Sequence, residues 1–152
     1  SSYFSREIIF LNIEQMQEKI SFISRLENLV FAERLIKDLF ADSKYSKELC
    51  NDINLAVTEA IVNAIVHGNR MNPKKFVYVM AKIEDGTAFF TIRDEGKGFD
   101  FTSLADPTTK ENIEEPNGRG VFLMHKLATK VTYLDHGRIV NMEFKLKKSK
   151  SI

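Results

Sequence analysis

Between residues 59 and 123 the chain sets out three short stretches in order. They are Glu59-Ala-Ile-Val-Asn63-Ala-Ile-Val-His67-Gly68, Asp94-Glu95-Gly96-Lys97-Gly98-Phe99, and Asn117-Gly118-Arg119-Gly120-Val121-Phe122-Leu123. The first reads as a helix carrying a carboxylate and an amide, the second as an acidic glycine turn, and the third as a glycine turn that opens a helix. Each supplies a different part of one site. Together they describe a nucleotide pocket, and the combination points to ATP bound with a divalent metal.

The pattern around these stretches sets the elements. Ile8-Ile9-Phe10-Leu11 is a short apolar run, readable as an extra strand or a docked extension. Lys19-Ile20-Ser21-Phe22-Ile23-Ser24 largely alternates, as a half-buried strand does. Leu26, Leu29, Val30, Ala32, Leu35, Ile36, Leu39 and Phe40 follow helical spacing and predict a helix over 26–41. A second helix is expected from Lys47 to His67, with Ile53, Ala56, Val57, Ala60, Ile61, Ala64 and Ile65 as its apolar stripe and Gly68-Asn69 as its stop. Strands over 76–83 and 87–93 flank Glu84-Asp85-Gly86, and Asp-Gly between two such runs is a strong hairpin signal. Residues 100–117 are polar and aperiodic, a long loop of the kind that serves as a lid. A third helix over 120–130 leads to strands over 131–134 and 139–144, joined by Asp135-His136-Gly137-Arg138. Helices and antiparallel hairpins in this order specify an α+β fold, a sandwich of two layers.

The whole-chain balance limits the partners. At 152 residues the chain forms one domain with a real core, and 43% hydrophobic with 28% charged residues is an ordinary globular mixture. Twenty-two Lys and Arg against twenty-one Asp and Glu leave a net charge of +1, too weak a field to argue for nucleic acid. Cys50 is the single cysteine, which excludes an intramolecular disulfide and makes a reducing cytoplasm the simplest home. A buried, inert thiol is its expected role. Uninterrupted apolar runs fall far short of the roughly 20 residues of a membrane helix, and no leader pattern is present, so the chain reads as soluble and unexported.

The chemistry follows from the residue types. Glu59, Asn63 and His67 are four apart and share one helix edge. An amide oxygen is a neutral ligand suited to magnesium, which keeps waters and takes phosphate oxygens from its nucleotide. A carboxylate one turn away can accept the proton of an attacking hydroxyl or water. Taken alone, this pair is more often a solvated helix face, and His67 more often a helix-terminal residue favoured by the dipole. Asp94 closes a strand where it can accept a hydrogen bond from an exocyclic amine, although Asp-Glu-Gly is also common turn material. Phe99 and Phe101 can wall an adenine, but two of twelve phenylalanines are more often core. Gly118 and Gly120 stand directly before the third helix, where free amides form a natural phosphate site and Arg119 can add charge.

The three stretches resemble the N, G1 and G2 boxes of the GHKL ATPase superfamily, which includes gyrase, a heat-shock chaperone, histidine kinases and a mismatch-repair protein. Within it the chain looks most like the bacterial anti-sigma-factor serine/threonine-protein kinases. The resemblance covers roughly residues 17–147 and includes Ser24-Arg25-Leu26-Glu27-Asn28 and Asp106-Pro107-Thr108. It implies a Bergerat, histidine-kinase-like ATPase fold with a mixed, largely antiparallel sheet and an ATP lid. The domain then runs over 16–148, between an extension at 1–15 with no counterpart in the family pattern and a tail at 149–152. It also implies that Glu59 is the general base, Asn63 the magnesium ligand and Asp94 the reader of the adenine amine. Gly96, Gly98 and Phe99, with Gly118, Arg119, Gly120, Val121 and Phe122, would complete the nucleotide site.

Members of the family that the chain resembles phosphorylate a serine or threonine on a small anti-sigma-factor antagonist, and many also sequester a sigma factor. The resemblance allows a homodimer. Two other readings stand beside the kinase: a detached histidine-kinase catalytic domain, and a non-catalytic module whose surface ATP shapes. Glu59 stands where histidine kinases usually carry an amide. An imidazole already has a lone pair for attack, whereas a hydroxyl gains from a nearby base, so Glu59 favours a hydroxyl acceptor or water.

Overall fold

The computed structural model describes residues 3–12, 15–41, 44–99 and 118–147. Among them, six strands form one sheet: β1 (Phe4–Asn12), β2 (Gln15–Ile23), β3 (Phe76–Glu84), β4 (Thr87–Arg93), β5 (Lys130–Leu134) and β6 (Ile139–Lys145). Their spatial order is β1-β2-β3-β4-β6-β5. Each pairing is antiparallel, so the parallel component of a mixed sheet is absent among the described residues. The reason is positional. β6 inserts between β4 and β5, which run in the same direction without touching.

The alternation around Ile20 and Phe22 continues across the sheet as rows. Ile20 opposes Val79, Val79 opposes Ile92, and Ile92 opposes Val140. The next row holds Glu18, Ala81, Phe90 and Met142. All eight side chains are buried, and since strand side chains alternate, a one-residue slip would turn each row to solvent. Asp85 (φ 50°) and Gly86 (φ 75°) make the two-residue turn between β3 and β4, with Glu84 paired to Thr87, as the Asp-Gly signal requires. The apolar run at Ile8 belongs to β1, a full edge strand paired along β2.

Among the described residues three helices cover the inner face: α1 (Leu29–Leu39), α2 (Lys47–Asn63) and α3 (Gly118–Leu127). The helix expected over 26–41 opens instead with a single 3-10 turn, Leu26–Asn28. The Asn28 side-chain amide donates to the Ile23 carbonyl at 2.9 Å, tying that turn to the end of β2. The buried stripe of α1 is Ala32, Leu35, Ile36 and Leu39, narrower than its spacing predicted, because Leu26 and Val30 lie on the exposed side. Ser46 caps α2 by accepting from the Leu49 amide. Phe22, Phe90 and Phe144 are fully buried between the layers, each worth roughly 1.5–3 kcal/mol of burial. Cys50 is half-buried, and burial pushes its thiol pKa up, which suits an inert role.

With its continuation to Gly68, α2 spans 22 residues, long and apolar enough by length and composition to cross a membrane. The expectation of no such segment rested on uninterrupted runs, which Asn54, Thr58, Glu59 and Asn63 break up. Its apolar stripe, from Ile53 to Ile65, is buried against the sheet, as in any core helix. The loop over 100–117, with Phe101 and Asp106-Pro107-Thr108, and the tail over 149–152 lie outside the described residues.

Candidate nucleotide site

The C-terminal end of α2 changes its winding. Ala64–Gly68 form a π-helical turn, in which the Asn69 amide donates to the Ala64 carbonyl at 2.8 Å. The wider turn carries His67 off the line of Glu59 and Asn63, so His67 is exposed while the other two are half-buried. Gly68 does not act as a left-handed stop. That conformation falls to Arg70 (φ 53°) and Met71 (φ 59°). Gly68 is small for another reason: a Cβ there would lie 2.5 Å from Cγ and Oδ2 of Asp94.

Asn69 is the residue that sequence reading treated only as a helix stop. It is 1% exposed. Its Nδ2 donates to Ser24 Oγ at 2.8 Å and to the Phe76 carbonyl at 2.9 Å, while its Oδ1 accepts from the Glu95 amide at 2.7 Å. One side chain thus joins the end of β2, the start of β3 and the acidic glycine turn. Nothing in a single Asn after His-Gly signals this, because the partners are remote in sequence. Asn69→Ala removes all three bonds from a buried position, and we expect a stability loss of about 2–3 kcal/mol by urea unfolding. A loss under about 0.5 kcal/mol, the range of ordinary surface changes, would dismiss this role.

Asp94 follows β4 directly and is 8% exposed. Its Oδ1 accepts from the Gly96 amide at 2.8 Å. Burial raises its pKa, while the Gly96 hydrogen bond and the Arg138 and Lys75 charges act to lower it and Asp135 to raise it. A Cβ on Gly96 would strike the carbonyl of Gly68, so the first and second stretches meet backbone to backbone. Gly98 (φ 80°) lies against the His136 carbonyl. The Phe99 ring packs on Gly137 and edge-on to Tyr133, 5.6 Å between centroids, which joins it to the β5–β6 turn.

The third stretch closes on Glu59. Gly118, Arg119 and Gly120 are the first turn of α3 rather than a lead-in to it, and α3 ends at Leu127, three residues before the expected end. It stops there because Thr129 donates its amide to the Glu143 carbonyl at 2.7 Å and Lys130 already pairs with Glu143. A Cβ on Gly120 would lie 2.5 Å from Glu59 Oε2, so the free-amide end of α3 abuts that carboxylate. Asn63 faces the same helix, its Nδ2 lying 3.9 Å from the Met124 sulfur. Val121 and Phe122, directly after Gly120, are half-buried.

The donor set decides what metal could fit. Among the described residues no group of three His, Cys, Asp or Glu is placed to hold an ion. One amide oxygen beside a helix N-terminus is not a metal cage, but it fits magnesium that arrives with phosphate oxygens and waters.

A two-layer antiparallel sandwich with these three stretches gathered at one end defines a class. The chain matches the histidine kinase-like ATPase domain over residues 22–144 and belongs to that family. An anti-sigma F factor of Geobacillus kaustophilus is 31% identical over 139 residues, covering 88% of this chain and 94% of the relative. The anti-sigma F factor of Halalkalibacterium halodurans is 32% identical with the same coverage, and that of Heyndrickxia coagulans is 36% identical over 110 residues, 70% of this chain and 74% of the relative.

Proposed function

We propose that this chain is an ATP-dependent serine/threonine-protein kinase of the anti-sigma-factor type. It binds ATP with magnesium, phosphorylates a small anti-sigma-factor antagonist and sequesters a sigma factor, as a cytoplasmic homodimer. The observation that carries the catalytic part is the abutment of the Glu59 carboxylate on the backbone of Gly120, at the amide-rich start of α3. Membership of the ATPase family supports ATP binding, and relatives named anti-sigma F factor support the sigma-factor and antagonist part.

In this reading the α3 amides of Gly118 to Gly120 and Arg119 receive phosphate oxygens, and Asp94 accepts from the adenine amine. Asn63 would hold magnesium, which neutralises phosphate charge. Glu59 takes the proton of the acceptor hydroxyl as its oxygen bonds to the γ-phosphorus, and the bond to the β-phosphate oxygen breaks to release ADP. The test is calorimetric titration of the chain with ATP and ADP, with and without magnesium. We expect magnesium-dependent binding that weakens roughly tenfold or more in Asn63→Ala, the cost of a charge-assisted contact. Absence of binding under every condition would sink the ATP reading.

A further inference from the structure

We propose that Arg138, outside all three motif stretches, is the positioning residue that holds the Asp94–Gly98 turn in the shape that receives adenine. This deepens the ATP reading and rests on it. Arg138 touches the turn at both ends. Its carbonyl accepts from the Asp94 amide at 2.9 Å, and its guanidinium donates from Nε to the Gly96 carbonyl at 2.9 Å and from Nη2 to the Lys97 carbonyl at 3.2 Å. Nη1 bonds Asp135 Oδ1 at 3.3 Å, which steadies the side chain from its own turn.

Two successive carbonyls suit the planar fork of an arginine, whose donors are fixed relative to each other. A lysine offers one ammonium point and cannot reproduce that fork. The neighbouring contacts leave little slack: Phe99 donates its amide to the His136 carbonyl at 2.7 Å, and Gly98 has no room for a Cβ against the same residue. The turn is therefore held from two sides, by Asn69 at Glu95 and by Arg138 at Gly96 and Lys97.

The same guanidinium acts on Asp94 through its charge. Burial raises the Asp94 pKa, with Asp135 adding to the rise, while Arg138 from the β5–β6 turn and Lys75 before β3 oppose it. A carboxylate accepts from an amine best when ionised, so affinity falls as pH drops through this pKa. Removing the Arg138 charge raises the pKa further. The falling limb then moves to higher pH.

The experiment is calorimetry with magnesium and ATP over a pH series from acid to neutral, on the wild-type chain, Arg138→Met and Arg138→Lys. Amide hydrogen exchange over residues 94–98 is measured without ligand. Because the titration of ATP itself is common to all three, differences between profiles isolate the protein. We expect Arg138→Met to raise Kd roughly tenfold or more at neutral pH and to shift the acid limb upward, with faster exchange at Gly96 to Gly98. Arg138→Lys keeps the charge, so it keeps the wild-type limb while still losing roughly tenfold in affinity. Should Arg138→Met not fold, Arg138→Gln supplies the neutral variant. Variants that melt earlier but bind with wild-type Kd and pH limb overturn the assignment and leave the ATP reading intact. A wild-type chain that binds no ATP overturns both.

Discussion

On the proposed function, replacing Glu59 by glutamine is expected to lower phosphoryl transfer to a protein hydroxyl by roughly 10²–10⁴-fold, the usual contribution of a positioned general base, with ATP affinity kept at the wild-type level. The argument rests on shape. Glutamine keeps the volume that packs on Gly120, where a Cβ would already be 2.5 Å from Oε2, so the start of α3 and its amides stay in place. Only the capacity to take a proton is lost. Transfer is followed with radiolabelled ATP and a purified anti-sigma-factor antagonist, and binding by calorimetry. Retained transfer would remove Glu59 from the base role. Joint loss of transfer and binding would make it a structural support of α3 instead. A chain with wild-type ATP affinity and no transfer before mutation would be the binding module, not the kinase.

Much of the candidate site could be proposed from the sequence because its parts are local. A carboxylate and an amide one helical turn apart, glycines in an acidic turn and glycines at a helix start each announce themselves within a few residues. Their meeting is what geometry adds: Gly68 against Asp94, Gly96 against Gly68, and Gly120 against Glu59. The features missed are those whose partners are distant. Asn69 binds groups at residues 24, 76 and 95, and Arg138 binds carbonyls at 96 and 97, so neither could be read from its neighbours. The π-helical turn also escaped, since an α-helical stripe continues through Ala64 and Ile65 whichever winding follows. The early end of α3 has a similar cause: it stops at Leu127 because Thr129 and Lys130 pair with Glu143, a residue remote in sequence.

The edge strand gives the largest stability prediction. Glu18 points inward beside Ala81, in the row that also holds Phe90 and Met142, and is 2% exposed. Its Oε1 pairs with Arg6 of β1, through Nη2 and through Nε at 3.1 Å, while its Oε2 is a buried oxygen with no hydrogen-bond partner. Arg6 reaches on to Asp38 of α1 at 3.1 Å, so one guanidinium ties β1, β2 and α1 together. Removing one partner of a buried ion pair is far more costly than removing both, because the survivor keeps its desolvation cost without compensation. Arg6→Met should therefore destabilise the chain by about 3–5 kcal/mol in urea unfolding, and adding Glu18→Met should recover most of that loss. The double variant separates the two explanations for any loss. If β1 merely needed the arginine stem for packing, Glu18→Met would not restore stability. A single-variant cost below about 1 kcal/mol would mean that Glu18 is solvated and that the ion pair does not fix β1 to the domain.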